Sequence, residues 1–141
     1  MVVDRDLVEA RVREIHDAVR LLEELTARGF EELTLHEKLS MRYLVIQLVE
    51  AAVSICVHLL AEGFDERAES YPGCFARLGE LGIVPRDLAA RLAAAARLRN
   101  LLVHRYWAID DRRVYESVRE GLRDFEEFAK LVRKVLEGWR A

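Results

Sequence analysis

Proline stands at only two positions in this chain, Pro72 and Pro85, and both lie in its middle third. Proline is the residue that most firmly interrupts a helix, because it lacks the backbone N–H and its ring collides with the preceding turn. The long proline-free stretches on either side are therefore free to be helical, and their apolar residues recur at helical spacing. Leu7, Val8, Val12, Ile15, Val19, Leu22 and Leu25 predict a first helix over about 4–28, with Gly29 as its C-terminal stop. A second is predicted over about 35–62, ending at Gly63; its apolar residues cover so much of its circumference that it reads as the most buried helix. The segment 63–85 is a connection holding one short helix at FARLGELG. Pro85 opens the next long helix, to about His104, and Asp110-Asp111 can cap a last one along Val114, Val118, Leu122, Phe125, Phe128, Val132 and Leu136. No strand alternation or internal repeat is evident. The expected fold is all-α: an antiparallel helical bundle of four long helices plus one short helix, forming a single domain over 1–141.

Composition narrows the class. A chain that is 52% hydrophobic and 33% charged suits a soluble globular domain and not a disordered one. No apolar run is expected to reach the ~18 residues of a membrane span, and the start, MVVDRDLVEARVREIHD, has acids where a signal peptide has an apolar block. The expectation is a cytoplasmic protein with no membrane contact. Cys56 and Cys74 are too few for a disulfide framework, and neither has a second Cys or a His at metal-ligand spacing, so both read as small core residues. Net charge is −3, but residues 86–123 hold nine bases, all Arg, against five acids. Arg presents a planar fork that matches phosphate oxygens, so a polyanion partner is compatible with this segment. A general bias toward Arg explains the same pattern, since the chain has 19 Arg and 3 Lys.

The basic segment contains RNLLVHRYWAID, 99–110, where Arg, Asn, His and Tyr interrupt an apolar run. Arg and His together suit phosphodiester chemistry. An imidazole, with a pKa near ~6.5, can take or give a proton at neutral pH, and a guanidinium can stabilise the extra negative charge on phosphorus. RNA brings its own nucleophile, the 2′-OH, so neither metal nor cofactor is required. Five residues turn a helix through about 140°, so Arg99 and His104 would not share a face. They could meet if the helix unwinds near His104, or if two copies pack antiparallel here; the small residues 93–96, AAAA, permit such close approach. Arg99 and Tyr106, seven apart, would share a face if the helix persisted. On the second helix Gln47, Glu50, Ser54 and His58 form a polar stripe. It either faces the Arg99–His104 region and orients it, with His58 the supporting residue to examine first, or is an ordinary solvated face.

The motif Arg99, four residues, His104, Arg105, Tyr106, with Asn100 in place and Ile109-Asp110 following, resembles the R-x4-H-x-Y signature of HepT-like toxins, a branch of the HEPN superfamily. CVHLLAEGF and SYPGCFARLGELGIV also resemble their counterparts there, so the likeness covers most of the chain. The resemblance implies an all-helical homodimer with a composite site at its interface. It further implies the toxin of a type VII toxin–antitoxin system: a metal-independent endoribonuclease with Arg99 and His104 catalytic, supported by Asn100. Its partner would be a minimal nucleotidyltransferase (MNT) antitoxin that transfers AMP to Tyr106. The alternative is a non-catalytic helical dimer module that binds the nucleotidyltransferase or a nucleotide.

Overall fold

A computed structural model describes residues 3–139. It has five helices: α1 (Arg5–Thr26), α2 (Leu35–Phe64), α3 (Tyr71–Glu80), α4 (Arg86–His104) and α5 (Asp111–Gly138). Single 3-10 turns lie at Phe30–Glu32 and Tyr106–Ala108, and no strand occurs among the described residues. Four long helices and one short one are what the spacing of apolar residues predicts. The start of each helix is chemically marked. Asp4, Thr34, Ser70 and Asp110 accept hydrogen bonds from first-turn N–H groups of α1, α2, α3 and α5, and Pro85 precedes α4.

The glycine stop signals do not hold. Helix α1 is capped at Ala27, and Gly29 has extended backbone at the next turn. Gly63 stays inside α2, which ends at Asp65 in the left-handed conformation (φ 52°). A Cβ on Gly63 would lie 2.6 Å from the Trp139 ring, so this glycine serves the close approach of the end of α5. Helix α3 starts at Tyr71, ahead of the FARLGELG piece, because Ser70 caps it and Pro72 fits its first turn.

Side-chain contacts fix the directions of the helices. The Asp4 N–H donates to His58 Nε2 at 2.8 Å, which places the start of α1 beside the end of α2. Arg5 Nη2 donates to the Leu136 carbonyl at 2.9 Å, and the Tyr115 hydroxyl donates to the carbonyls of Thr26 and Arg28, so α1 and α5 run antiparallel. Arg42 binds Asp111, which brings the beginnings of α2 and α5 together. Helix α4 enters that same end from the other direction. The predicted stripes of α1 and α5 fill one core with α2, whose buried residues run from Met41 to Leu60. Phe75 of α3 and Phe128 of α5 meet edge to face at 5.8 Å in its centre. Gly79 lets α3 lie directly on Ala89 of α4: a Cβ there would stand 2.7 Å from the Ala89 Cβ.

The structure departs from two expectations. Cys56 and Cys74 are fully buried, as small core residues are, but they are not separate thiols. They form a disulfide between α2 and α3, with Cα atoms 6.3 Å apart. Packing of α3 on α2 brings together two residues 18 apart in sequence, a pairing that a count of cysteines does not reveal. Helix α2 is also long and apolar enough, by length and composition alone, to cross a membrane, against the expectation that no stretch is. Its lone central acid, Glu50, barely dilutes the apolar residues around it. Over half of that window is buried inside the bundle, which gives the same apolarity a role in the core.

Candidate functional site

Arg99 lies in the last two turns of α4 and points inward, with a side chain only 16% exposed. Its Nη2 donates to Glu50 Oε1, on the middle of α2. Its Nη1 donates to Asn100 Oδ1 at 3.0 Å. Beneath the guanidinium, 4.5 Å from its carbon, lies the ring of Tyr71, the first residue of α3. The Tyr71 hydroxyl donates to Glu50 Oε2 at 2.9 Å, so one carboxylate holds both the arginine and the ring under it. Burial and the adjacent Glu50 carboxylate push the Tyr71 phenol above its ordinary range, which keeps the proton on the donor. Arg99 Nε is buried and has no hydrogen-bond partner, alone in this among the described residues.

His104 closes α4 and is exposed. The helix persists through it, and the chain leaves helical geometry only at Arg105 (φ −137°, ψ 44°). Unwinding therefore does not fold the imidazole back onto Arg99, and within one chain the two side chains keep their angular offset of about 140°. Tyr106 does not continue the helical phase of Arg99 either. It opens the 3-10 turn, is 62% exposed, and meets Trp107 (69% exposed) edge to face at 5.3 Å. Arg42 steadies this turn from α2. Its Nε and Nη2 reach Asp111 Oδ1 and Oδ2 at 2.6 and 2.9 Å, while its Nη1 reaches the Tyr106 carbonyl at 3.3 Å. Leu101 and Val103 near the end of α4 are exposed, as are Leu35, Leu39 and Tyr43 on α2.

The polar stripe on α2 divides. Glu50 reaches Arg99, as the orienting reading requires. Ser54 instead accepts from Arg11 Nε at 3.1 Å on α1, and Gln47 donates to Tyr43 at 3.4 Å. His58 is not brought to Arg99; its Nε2 is taken by the Asp4 N–H, ~12 Å further along α2 at 1.5 Å per residue. Tyr71 was not singled out by sequence. Among the described residues no three His, Cys, Asp or Glu side chains converge as a metal set would.

A family profile described as Ribonuclease HepT-like matches residues 14–132. The chain belongs to the HepT-like ribonuclease family. Its match spans the whole site, from the α2 residues Arg42 and Glu50 through Tyr71 to the 99–110 motif. A relative described as tRNA nuclease HepT, from Aphanizomenon flos-aquae, is 28% identical over 109 residues, covering 77% of this chain and 70% of the relative. The tri-AMPylated HEPN toxin of Shewanella oneidensis, solved in complex with its MNT antitoxin, superposes with a TM-score of 0.84 at 20% identity, over 92% of this chain and 98% of that one. A cytosolic protein of unknown function from Bacillus subtilis, YutE, gives 0.85 at 19% identity, over 96% and 92%. These two likenesses establish that the HepT-like chain has the HEPN fold.

Proposed function

We propose that this chain is the toxin of a type VII toxin–antitoxin pair, a single-domain cytoplasmic protein that cuts RNA as a homodimer without a metal ion. In the reaction the 2′-oxygen of a ribose attacks the adjacent phosphorus, the 2′-proton leaves to a base, and the 5′-oxygen departs as it gains a proton. His104, exposed at the end of α4, carries the proton transfer. Arg99 stabilises the charge that builds on the phosphoryl oxygens. The observation that carries this reading is the contrast between the two: a guanidinium held from behind in a half-buried cradle, and a free imidazole five residues on. Because they face different ways in one chain, the reading places the working site between two copies. The exposed Leu101, Val103, Tyr106 and Trp107 supply apolar surface beside that junction.

Tyr106 is proposed as the residue through which a nucleotidyltransferase antitoxin silences the toxin. Its hydroxyl would displace pyrophosphate from ATP and carry AMP, setting a phosphate and an adenosine beside His104. The Shewanella toxin, AMPylated in its MNT complex, supports this partner, the tRNA nuclease relative supports an RNA substrate, and the cytosolic YutE supports the compartment. The test is incubation of the purified protein with tRNA in EDTA. Products ending in 2′,3′-cyclic phosphate are expected; cleavage that stops with the chelator and returns with Mg²⁺ defeats the mechanism. One feature favours the non-catalytic alternative: Glu50 already neutralises Arg99. Absence of any cleavage in the same assay would favour that alternative.

A further inference from the structure

Arg99 is gripped on more sides than a helix residue needs for folding. A guanidinium has five N–H groups. Glu50 takes one on Nη2, Asn100 takes one on Nη1, and the Nε–H is buried. One N–H on each terminal nitrogen is left uncommitted, and a pair of N–H groups on one planar guanidinium can meet two oxygens of a phosphate. The plane itself is set by Tyr71, whose ring lies under the guanidinium while its hydroxyl ties back to the same Glu50 carboxylate. The cradle therefore draws on three helices, with Tyr71 on α3, Glu50 on α2 and Arg99 on α4.

We propose that Tyr71 and Glu50 are positioning residues for RNA cleavage: together they lock the orientation of the Arg99 guanidinium so that its two remaining N–H groups point at the reacting phosphate. The proposal rests on the ribonuclease reading. Neither residue touches substrate; each acts through Arg99. A guanidinium already oriented gives up little freedom when the transition state forms, so the loss on breaking the clamp falls on kcat and not on KM. A purely structural role would instead lower the melting temperature and leave the kinetics of the folded fraction unchanged.

The test uses the full chain, with four variants. Tyr71→Leu removes ring and hydroxyl, Tyr71→Phe removes the hydroxyl alone, Glu50→Ala removes the carboxylate, and Glu50→Gln keeps a carbonyl acceptor. Steady-state cleavage of tRNA is read together with the side-chain nitrogen spectrum of ¹⁵N-arginine-labelled protein, in which an Arg99→Lys variant assigns the Arg99 signals. In the parent, the Nη groups of Arg99 should give separate signals because rotation about the Cζ–Nη bonds is hindered. In Tyr71→Leu and Glu50→Ala these signals should merge. In the same two variants kcat should fall about 10- to 100-fold with KM within about twofold, as misplaced catalytic groups do. Glu50→Gln should recover most of the loss, and Tyr71→Phe should lie between parent and Tyr71→Leu. Merged signals in the parent, or separate signals that survive in both disruptive variants, overturn the clamp. Merged signals with parental kcat overturn the positioning role, and faster cleavage by Glu50→Ala does so by making Glu50 a mask. A parent that cuts no RNA but shows an intact clamp overturns the role in cleavage through failure of the ribonuclease reading, and the nitrogen spectrum tells that failure apart from failure of the clamp.

Discussion

Replacing Arg42 by Ala should loosen the 105–110 turn and destabilise the bundle together, because one side chain does both tasks. Arg42 and Asp111 are 21% and 18% exposed, and the pair is bidentate. The Asp111 carboxylate raises the Arg42 guanidinium above its ordinary range, chiefly through their hydrogen bond. An exposed ion pair contributes about 0.2–1 kcal/mol. Removing one partner of a fully buried pair costs about 3–5 kcal/mol, because the other charge is left without compensation. With about four-fifths of each side chain covered, Arg42→Ala should fall between these limits, at about 2 kcal/mol. For a chain of this length that is a fall of roughly 6–8 °C in melting temperature, at about 3–4 °C per kcal/mol. Thermal unfolding followed by circular dichroism measures the shift, and hydrogen exchange measures the turn, where amides of residues 106–109 should exchange faster once the bond to the Tyr106 carbonyl is lost. A melting temperature within about 1 °C of the parent, with unchanged exchange, would refute the view that this pair anchors the Tyr106 segment.

Reduction of the Cys56–Cys74 bridge, or Cys74→Ser, should lower stability by up to about 3 kcal/mol for a loop of this size; identical denaturant unfolding with and without reductant would show that the bridge does not form. Gly79→Ala should cost about 1–3 kcal/mol by forcing α3 off Ala89, measured as a lower midpoint with an unchanged denaturant slope. Acid should weaken the fold. Hydrogen bonds from Arg133, Arg77 and Arg91 hold Glu9, Glu66 and Asp87 below their ordinary carboxylate range, and the Thr34 backbone, followed by Arg28, does the same for Glu37. A carboxylate with a depressed folded pKa stabilises the fold above its unfolded value, ~4, and loses that contribution as pH falls through the folded one. Stability should therefore be flat near neutrality and decline below pH ~4; a curve that rises on acidification would contradict these pairings. Tyr106→Phe should escape AMP transfer by the cognate nucleotidyltransferase while keeping the fold, as read by peptide mass spectrometry; AMP found on another residue of the parent would move the proposed regulatory site.

Helical periodicity made α1, α4 and α5 legible because their apolar stripes face one core, and Asp110 and Pro85 mark real helix starts. The ends were harder to read. Gly63 looks like a stop but exists for Trp139, a partner 76 positions away, while Asp65 carries the left-handed cap. The α2 stripe illustrates a limit of face-based reasoning. Gln47 and His58 share a face yet stand ~16 Å apart along the axis, so a single arginine can meet only one point on it. Glu50 is that point; His58 belongs to the opposite end, with the start of α1. Tyr71 left no local signal, since it sits in a segment read as a connection ahead of the short helix, and only the packing of α3 slides its ring under Arg99. The cysteine pair was hidden for the same reason. The resemblance to the R-x4-H-x-Y signature, by contrast, groups Arg99, Asn100, His104 and Tyr106; in the structure Arg99 bonds Asn100, Arg42 reaches the Tyr106 carbonyl, and His104 stays exposed.

The most direct measurement is cleavage of tRNA by metal-free protein, comparing the parent with Arg99→Ala and His104→Ala purified in folded form. The parent should cut in EDTA. Arg99→Ala should lose about 10²–10³ in rate, the cost of a missing transition-state donor, and His104→Ala about 10²–10⁴, the cost of a missing proton carrier. Parental rates in both variants would contradict the assignment of the site, and a parent that cuts only when Mg²⁺ is present would contradict the chemistry assigned to it.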